Sequence, residues 1–598
     1  MDPRLITSGH EIPTETYSDQ PYIVRTDDGA WLCVLTTGVG REGESGQHVV
    51  TLRSVDEGQT WSALTDVESP DGPEASYAVL LKVPGGRVFC FYNYNADDMR
   101  RVKADDPPYE GGWCARVDSL GSFVFRYSDD HGLSWSSHRY TVPVREMDID
   151  RENAYAGKVR FFWNVGRPFI AHGAAYISLH KVGGFGHGFF TRSEGVLLRS
   201  EGLLTGADPS EVDWETLPEG EAGLRTPPGG GPIAEEHSYA VLSDGAIYAV
   251  YRTVDGHPVR AISRDKGRTW CEPEYLRYAD GRLVKHPRAA NFLWRCSNGK
   301  YLYWHHNHGG RFVPQRMATE GAGYSYQNRN PVWLCGGVER DTPTGKDIAW
   351  SQPEIALYDD DPLIRMSYPD LVEEQSRIYL TETQKDIART HLVPADTLQA
   401  LWSQHELCEV SRDGLLLETD TGSPLPPLPE LTVRDETRAD HGGMSTRAGF
   451  TVEVIFRAPR LTPGLVLLDA RREDGAGFLL RVSGDRTLDL SLCDGQTRAC
   501  WDTDPGAVRE NELHHVVAVV DGGPRIILFV VDGALLDGGE RRQFGWGRFS
   551  PYLSGLGRAE EIRIGPEAEV RLVRIYDRAL LVSEAIGNYR AETTRATS

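Results

Sequence analysis

Residues 233–252 read IAEEHSYAVLSDGAIYAVYR. Tyr239 and Val241, then Ile247, Ala249 and Tyr251, alternate with their neighbours on either side of Ser243-Asp244-Gly245. A period of two marks a strand, and an Asp-Gly pair between two such runs makes a tight hairpin. A hairpin brings the outer ends of its strands together. Glu235 and Glu236 therefore meet Arg252, so carboxylates and a guanidinium share one end of the hairpin.

The same unit recurs as YIVRTDDGAWLCVL around Gly29, AVLLKVPGGRVFCFY around Gly86 and RPFIAHGAAYISL around Gly173. It returns as NFLWRCSNGKYLYW around Gly299 and DLVEEQSRIYLTE around Ser376. Three copies are followed by a turn of the form Ser-x-Asp-x-Gly-x-Ser/Thr-Trp, at Ser54–Trp61, Ser128–Trp135 and Ser263–Trp270, with a degenerate fourth at Gly345–Trp350. In such a turn Asp caps local N–H groups and Gly takes a positive φ. Six copies of roughly 55–90 residues are what radial four-stranded blades require. The sequence predicts an all-β chain: a six-bladed β-propeller over residues 1–410, a Pro-rich linker over 411–432, and a β-sandwich over 433–598. The last part rests on short alternating runs such as GFTVEVIFRAP, ELHHVVAVVDGG and VRLVRIYDRALLVSEAIGNY. Helical periodicity is scarce and best developed from Pro394 to Gln404.

Composition narrows the class. A net charge of −23 leaves no basic stripe for phosphates, which excludes a nucleic-acid partner. No run approaches the ~18 apolar residues of a membrane span. The nine cysteines are scattered without metal spacing and read as buried free thiols, as at Cys33, Cys90 and Cys335. No cofactor and no metal is expected. The start MDPRLITSGHEIP lacks a signal-peptide pattern, which predicts a cytoplasmic protein, or a secreted one if a leader was removed. A homo-oligomer stays open.

The turns and the six units resemble the sialidase superfamily with its Asp-box (BNR) repeats. Sialidases carry a Glu and, sixteen residues on, an arginine of a carboxylate-binding triad, flanking an Asp-Gly turn; Glu236, Asp244-Gly245 and Arg252 match that spacing. Ser367-Tyr368-Pro369-Asp370-Leu371 resembles the phrase that carries their nucleophilic Tyr, and Thr381-Glu382 the partner that follows it. Asn328-Arg329-Asn330 is similar to the setting of a further triad arginine, with Arg311 in reserve. The resemblance implies that Tyr368 attacks after Glu236 takes its proton, that Arg252 and Arg329 bind an acidic or polar sugar group, and that Glu382 orients an arginine. A phenol of pKa ~10 needs such a base, and Tyr is the known exception to the two-carboxylate scheme of glycosidases.

The sequence also departs from that family. Where sialidases have Arg-Ile-Pro, this chain has Asp19-Gln20-Pro21, so an acid that would accept hydrogen bonds from sugar hydroxyls replaces the first triad arginine. The acid/base Asp is absent too, and Glu42, Glu44 and His48 in GREGESGQHVV are its candidates. Sialic acid itself is therefore not the expected substrate. Trp163, Asn164, His172 and Lys181 crowd the third unit and Arg288 the fifth, as further substrate-binding candidates. Three alternatives stand. One is an inverting hydrolase using Glu236 with Glu42, Glu44 or Asp19; another is a lyase removing the proton α to a uronate carboxylate with His, Tyr and Arg. The third is a non-catalytic glycan-binding protein. Beyond the linker, Leu513–Val516, Val531-Asp532-Gly533 and Ile575–Leu580 resemble the laminin-G/concanavalin A-like jelly rolls, which bind carbohydrate or brace a neighbouring domain. The expected partner is an oligo- or polysaccharide.

Overall fold

The computed structural model describes residues 2–104, 110–186, 189–206, 208–309, 327–420, 425–434, 449–539, 541–553 and 555–597. The chain is all-β in character and divides into two compact units. One comprises Gly9–Trp350 with Asp361–Val393, the other Met1–Ser8, Ser351–Asp360 and Pro394–Ser598. The second thus takes in Met1–Ser8, Ser351–Asp360 and residues 394–410, all of which the sequence reading places in the first domain.

Among the described residues the first unit holds six antiparallel sheets of four or five strands, one for each repeat of the hairpin, and a two-stranded pair of Val102–Lys103 with Trp113–Cys114. Five of the six start with a largely buried strand: Tyr17–Arg25, Ala75–Lys82, Glu235–Val241, Phe292–Arg295 or Leu371–Glu374; in the third, buried Phe162–Trp163 and the more exposed Phe169–Ala171 both pair along Ala174–Gly186. The sixth sheet draws its outer strand from the other end of the unit, His10–Ile12 pairing with Ala388–Leu392. The Ser-x-Asp-x-Gly turns are built alike. Ser54 Oγ accepts the Gly58 N–H at 2.8 Å, while Asp56 accepts the Thr60 N–H at 2.9 Å and its hydroxyl at 2.6 Å. The turns from Ser128 and Ser263 repeat these bonds. Gly132 has φ 84°, and a Cβ there would lie 2.4 Å from Leu32 in the preceding sheet, so only glycine fits. The Gly267 turn likewise packs on Leu197 and Leu217 of the third sheet, and the Gly58 turn meets Thr390 of the sixth. The degenerate fourth turn is instead a strand, Gly345–Trp350, paired along Val332–Thr342.

The inner strands share an irregularity. Register slips between Asp19 and Tyr22, Ser76 and Val79, and Glu235 and Ser238. Within each slip a non-glycine residue takes a left-handed backbone: Gln20 at φ 52°, Tyr77 at 59° and Glu236 at 54°; Tyr368, just before the sixth sheet, has 46°. Such conformations cost about 1–3 kcal/mol each and cluster at functional sites. A bulge re-aims the side chain it carries, so one side chain from each of these sheets is turned out of the strand's alternation.

The second unit is a sandwich. A seven-stranded sheet carries Gly449–Arg457, Leu513–Asp521 and Ile526–Val531 at its centre, and a five-stranded one carries Gly477–Val482 and Leu488–Cys493. Their inward residues, among them Phe450, Val452, Phe478, Leu490, Val516 and Phe529, form one buried core. Two elements differ from the sequence reading. Leu415–Asp420 in the linker is an edge strand on Glu569–Tyr576, and the tail of VRLVRIYDRALLVSEAIGNY is a helix, Val582–Thr597. Buried Glu354 holds the helix start, accepting the N–H groups of Val582 and Ser583 at 2.9 and 2.8 Å. Burial pushes Glu354 up to about 7 despite those bonds. A carboxyl whose folded pKa exceeds its unfolded value adds stability fully below the unfolded pKa and loses it as pH rises through the folded one. Calorimetry from about pH 5 to about pH 8 is expected to show a loss of roughly 3 kcal/mol from this group, and Glu354→Gln should flatten that slope.

All nine cysteines are free; Cys271, Cys408 and Cys500 are exposed, whereas the reading was of buried thiols throughout.

Candidate active site

The decisive hairpin closes as its sequence dictates, with Glu235 paired to Arg252 across the strands. Glu235 is fully buried and chelated twice. Arg252 reaches it at 2.8 and 3.0 Å, and Arg288 at 2.6 and 3.1 Å. Burial opposes its ionisation, but Arg288 and Arg252 bring its pKa to about 2. Glu235 braces two arginines.

Glu236, the next residue, is turned the other way by its left-handed backbone. Its Oε1 lies 2.7 Å from Arg252 Nη1. Burial raises its pKa, with Arg252 and Arg329 opposing. Tyr368 lies close enough for its hydroxyl to temper that rise; the geometry is not that of an aligned hydrogen bond, since neither Glu236 oxygen has one among the described residues. The Tyr368 phenol is raised well above its ordinary value by burial and by the charges of Glu236 and Glu42. Arg329 donates to Ser367, the residue before Tyr368. Burial lowers the Arg329 pKa while Tyr368 and Glu236 hold it up. Tyr368, Glu236, Arg252 and Arg329 are thus one electrostatic cluster assembled from three sheets.

A second group adjoins it. Lys385, in the turn after Arg377–Thr383, places its ammonium 4.2 Å from the Tyr368 ring centroid. It also bridges Asp19 at 2.8 Å and Glu42 at 3.1 Å. Burial raises Asp19 while Lys385 opposes. Glu42, half-buried, is brought to about 2: partial burial pushes upward, but Lys385 and Arg116 prevail. Arg116 lies 3.3 Å from Glu42 and donates at 2.8 Å to both the Tyr77 hydroxyl and Asp118. Tyr17 donates to Asp19 at 2.8 Å.

Trp163 lies beneath Arg252, its ring centroid 5.0 Å from the guanidinium carbon. Gln20 donates to the Asn164 carbonyl at 2.8 Å. The Asn164 side-chain amide and Gln20 Oε1 are buried without a hydrogen-bond partner among the described residues. His180 and His308, both buried, are tied to the backbone. His180 Nδ1 meets the Trp163 carbonyl and its Nε2 accepts the His237 N–H, and burial lowers its pKa to about 4. His308 Nε2 meets the Asn328 carbonyl beside Arg329 at 2.7 Å.

Other sequence candidates lie elsewhere. Glu44 is exposed and caps Arg41 in its own loop. His48 sits on the third strand of its sheet, against Glu15 and the Glu68 carbonyl. Lys181 is spent on buried Asp150 and the Arg145 carbonyl, because it faces away from His180 on the same strand. His172 occupies an exposed turn beside Gly245, at the hairpin end opposite Arg252. Among the described residues Glu382 orients no arginine: its side chain meets His391 and Gln384, each at 3.4 Å. Arg311 lies outside the described residues. No group of His, Cys, Asp and Glu among the described residues has the arrangement of a metal site. The sequence reading omitted Tyr77, Arg116, Asp118 and Lys385; Tyr77 stands at a bulge that only the structure shows.

Fold and site together define an all-β protein with a phenol–carboxylate–arginine centre and a C-terminal sandwich. Residues 434–585 match the model of the concanavalin A-like lectin/glucanases superfamily. No curated protein matches the chain. Among solved structures it is similar to the Trypanosoma rangeli sialidase in complex with sialic acid, at 14% identity and a TM-score of 0.41, covering 97% of this chain and 94% of that one. It is also similar to the intramolecular trans-sialidase from Ruminococcus gnavus in complex with oseltamivir carboxylate, at 14% identity and TM-score 0.40, covering 65% and 96%. At those TM-scores the chemistry has to be read from the side chains.

Proposed function

We propose that the chain is a carbohydrate-active enzyme, an exo-glycosidase that cleaves a terminal acidic sugar with Tyr368 as nucleophile and Glu236 as its base. The observation that carries this is the convergence of Tyr368, Glu236, Arg252 and Arg329 in one buried cluster. A buried phenol cannot ionise unaided, and Glu236 beside it accepts the proton as the oxygen attacks. Arg252 and Arg329 hold the sugar's anionic group, and bidentate contacts give them direction as well as charge. Asp19, neutralised by Lys385, receives sugar hydroxyls where a further arginine would bind a carboxylate, which favours an acidic sugar other than sialic acid. The site lies on the axis of a closed six-bladed propeller; the pairing of His10–Ile12 with the sixth sheet and the seat of the Gly58 turn on Thr390 support that closure.

The lyase alternative calls on a histidine base, and His180 does not fit that role because it commits both ring nitrogens to backbone groups. The sandwich serves as a brace or a lectin-like module. The test is incubation of the full chain with aryl ketosides of nonulosonic acids, aryl glucuronides and uronate polysaccharides. Released sugar without new ultraviolet absorbance is the expected result; unsaturated products make it a lyase, and no reaction leaves a binding protein.

A further inference from the structure

We propose that Tyr77 and Asp118 form the proton-donating couple of this site, positioned by Arg116; the proposal rests on the glycosidase reading above. Tyr77 has the same left-handed kink in the first strand of its sheet that aims Glu236 in the fourth, with φ 59° against 54°. Its hydroxyl makes a short hydrogen bond to Asp118 Oδ2. Arg116 Nη2 donates to that hydroxyl and to the same carboxylate oxygen, both at 2.8 Å. The Val117 N–H is tied to the Gly43 carbonyl at 3.1 Å, which fixes the couple against the loop that carries Glu42. From Glu42 the run continues through Lys385 to the face of Tyr368. A second phenol and carboxylate therefore stand at the far side of the nucleophile's own charge network.

The other acids there are already committed. Glu42 is held as a carboxylate between Lys385 and Arg116, and Asp19 is held by Lys385 and Tyr17. Asp118 is buried, and its Oδ1 has no hydrogen-bond partner among the described residues. Burial also raises its pKa, with Arg116 opposing, which favours the acid form. As the glycosidic C–O bond breaks, its electron pair stays on the leaving oxygen, which takes the Tyr77 hydroxyl proton. Tyr77 is reprotonated by the Asp118 carboxyl, leaving a carboxylate against Arg116. At the anomeric carbon the Tyr368 oxygen forms the new bond, and its proton passes to Glu236. Water reverses both transfers in the second step.

The test compares leaving groups. Tyr77→Phe and Asp118→Asn in the full chain are assayed beside the wild type on 4-nitrophenyl and 4-methoxyphenyl ketosides of N-acetylneuraminic acid and of its deaminated analogue, and on the corresponding glucuronides. General acid catalysis contributes ~10²–10⁴-fold, so both variants should lose about that much kcat/KM on the methoxyphenyl substrates. On the nitrophenyl substrates, whose leaving group departs as a stable anion, the loss should stay below about tenfold. Equal losses on the two leaving groups, or none on the poor one, overturn the proposal. Should Asp118→Asn fail to fold by circular dichroism, Tyr77→Phe alone decides. A wild type inert on every substrate would sink the glycosidase reading itself, and the couple with it, a result distinct from an active wild type with unselective variants.

Discussion

Replacing Tyr368 with phenylalanine is expected to lower kcat by about ten-thousandfold or more, because removing a nucleophile abolishes the covalent step instead of weakening it. The substitution keeps the ring on which Lys385 rests and deletes one oxygen that has no aligned bond to Glu236. Stability should therefore stay within about 1 kcal/mol of wild type. The loss should be the same for good and poor leaving groups, unlike the selective loss predicted for Tyr77→Phe, so the two tyrosines separate by role in a single set of rates. Substrate binding should survive, since Arg252 and Arg329 are untouched. Near-normal turnover by a folded Tyr368→Phe enzyme would remove the phenol from the mechanism and return the site to the two-carboxylate scheme with a water between the acids.

Hairpin repetition was legible because it depends on alternation and on Asp-Gly chemistry, both written in residue types. Glu236 and Arg252 followed at once, since strand pairing fixes which ends meet. The site's second half was not legible in the same way. Tyr77 reaches it through a left-handed backbone in a residue that carries a Cβ, and no residue type announces that conformation. Lys385 sits in a turn between two strands, where a lysine reads as a solvated charge until Asp19 and Glu42 are seen around it. His172 misled for the opposite reason: polar residues crowded into one stretch suggest a pocket, yet it occupies an exposed turn at the hairpin end opposite Arg252. His48 and Lys181 failed through geometry, one lying on a third strand and the other on the wrong face of its own. In the sandwich, the run ALLVSEAIGNY mixes the two periods, and only packing and Glu354 at its start decide for a helix.

Glu235→Gln should be the costliest single change in the hairpin, destabilising the protein by roughly 3–5 kcal/mol, the range for breaking a buried ion pair by removing one partner. Arg252 and Arg288 share this one carboxylate, and the amide would leave two buried guanidinium groups facing a neutral side chain. The pH dependence provides an independent check. A carboxylate with folded pKa about 2 against a reference of 4.5 contributes stability that is present above the unfolded value and is lost as pH falls through the folded one. Wild-type stability should therefore drop by about 3 kcal/mol through that acid window, and the variant should lack this part of the slope. Function should change in a defined way too, because Glu235 is the strut that aims Arg252 at Glu236. KM for an anionic substrate should rise more than kcat falls, since the nucleophile and its base remain. Glu44→Gln, an exposed acid that caps only its own loop, is the matched control and should alter none of these. A Glu235→Gln protein that unfolds within about 1 kcal/mol of wild type and keeps its acid slope would show that the two arginines hold their places without it, and the bracing argument would fall.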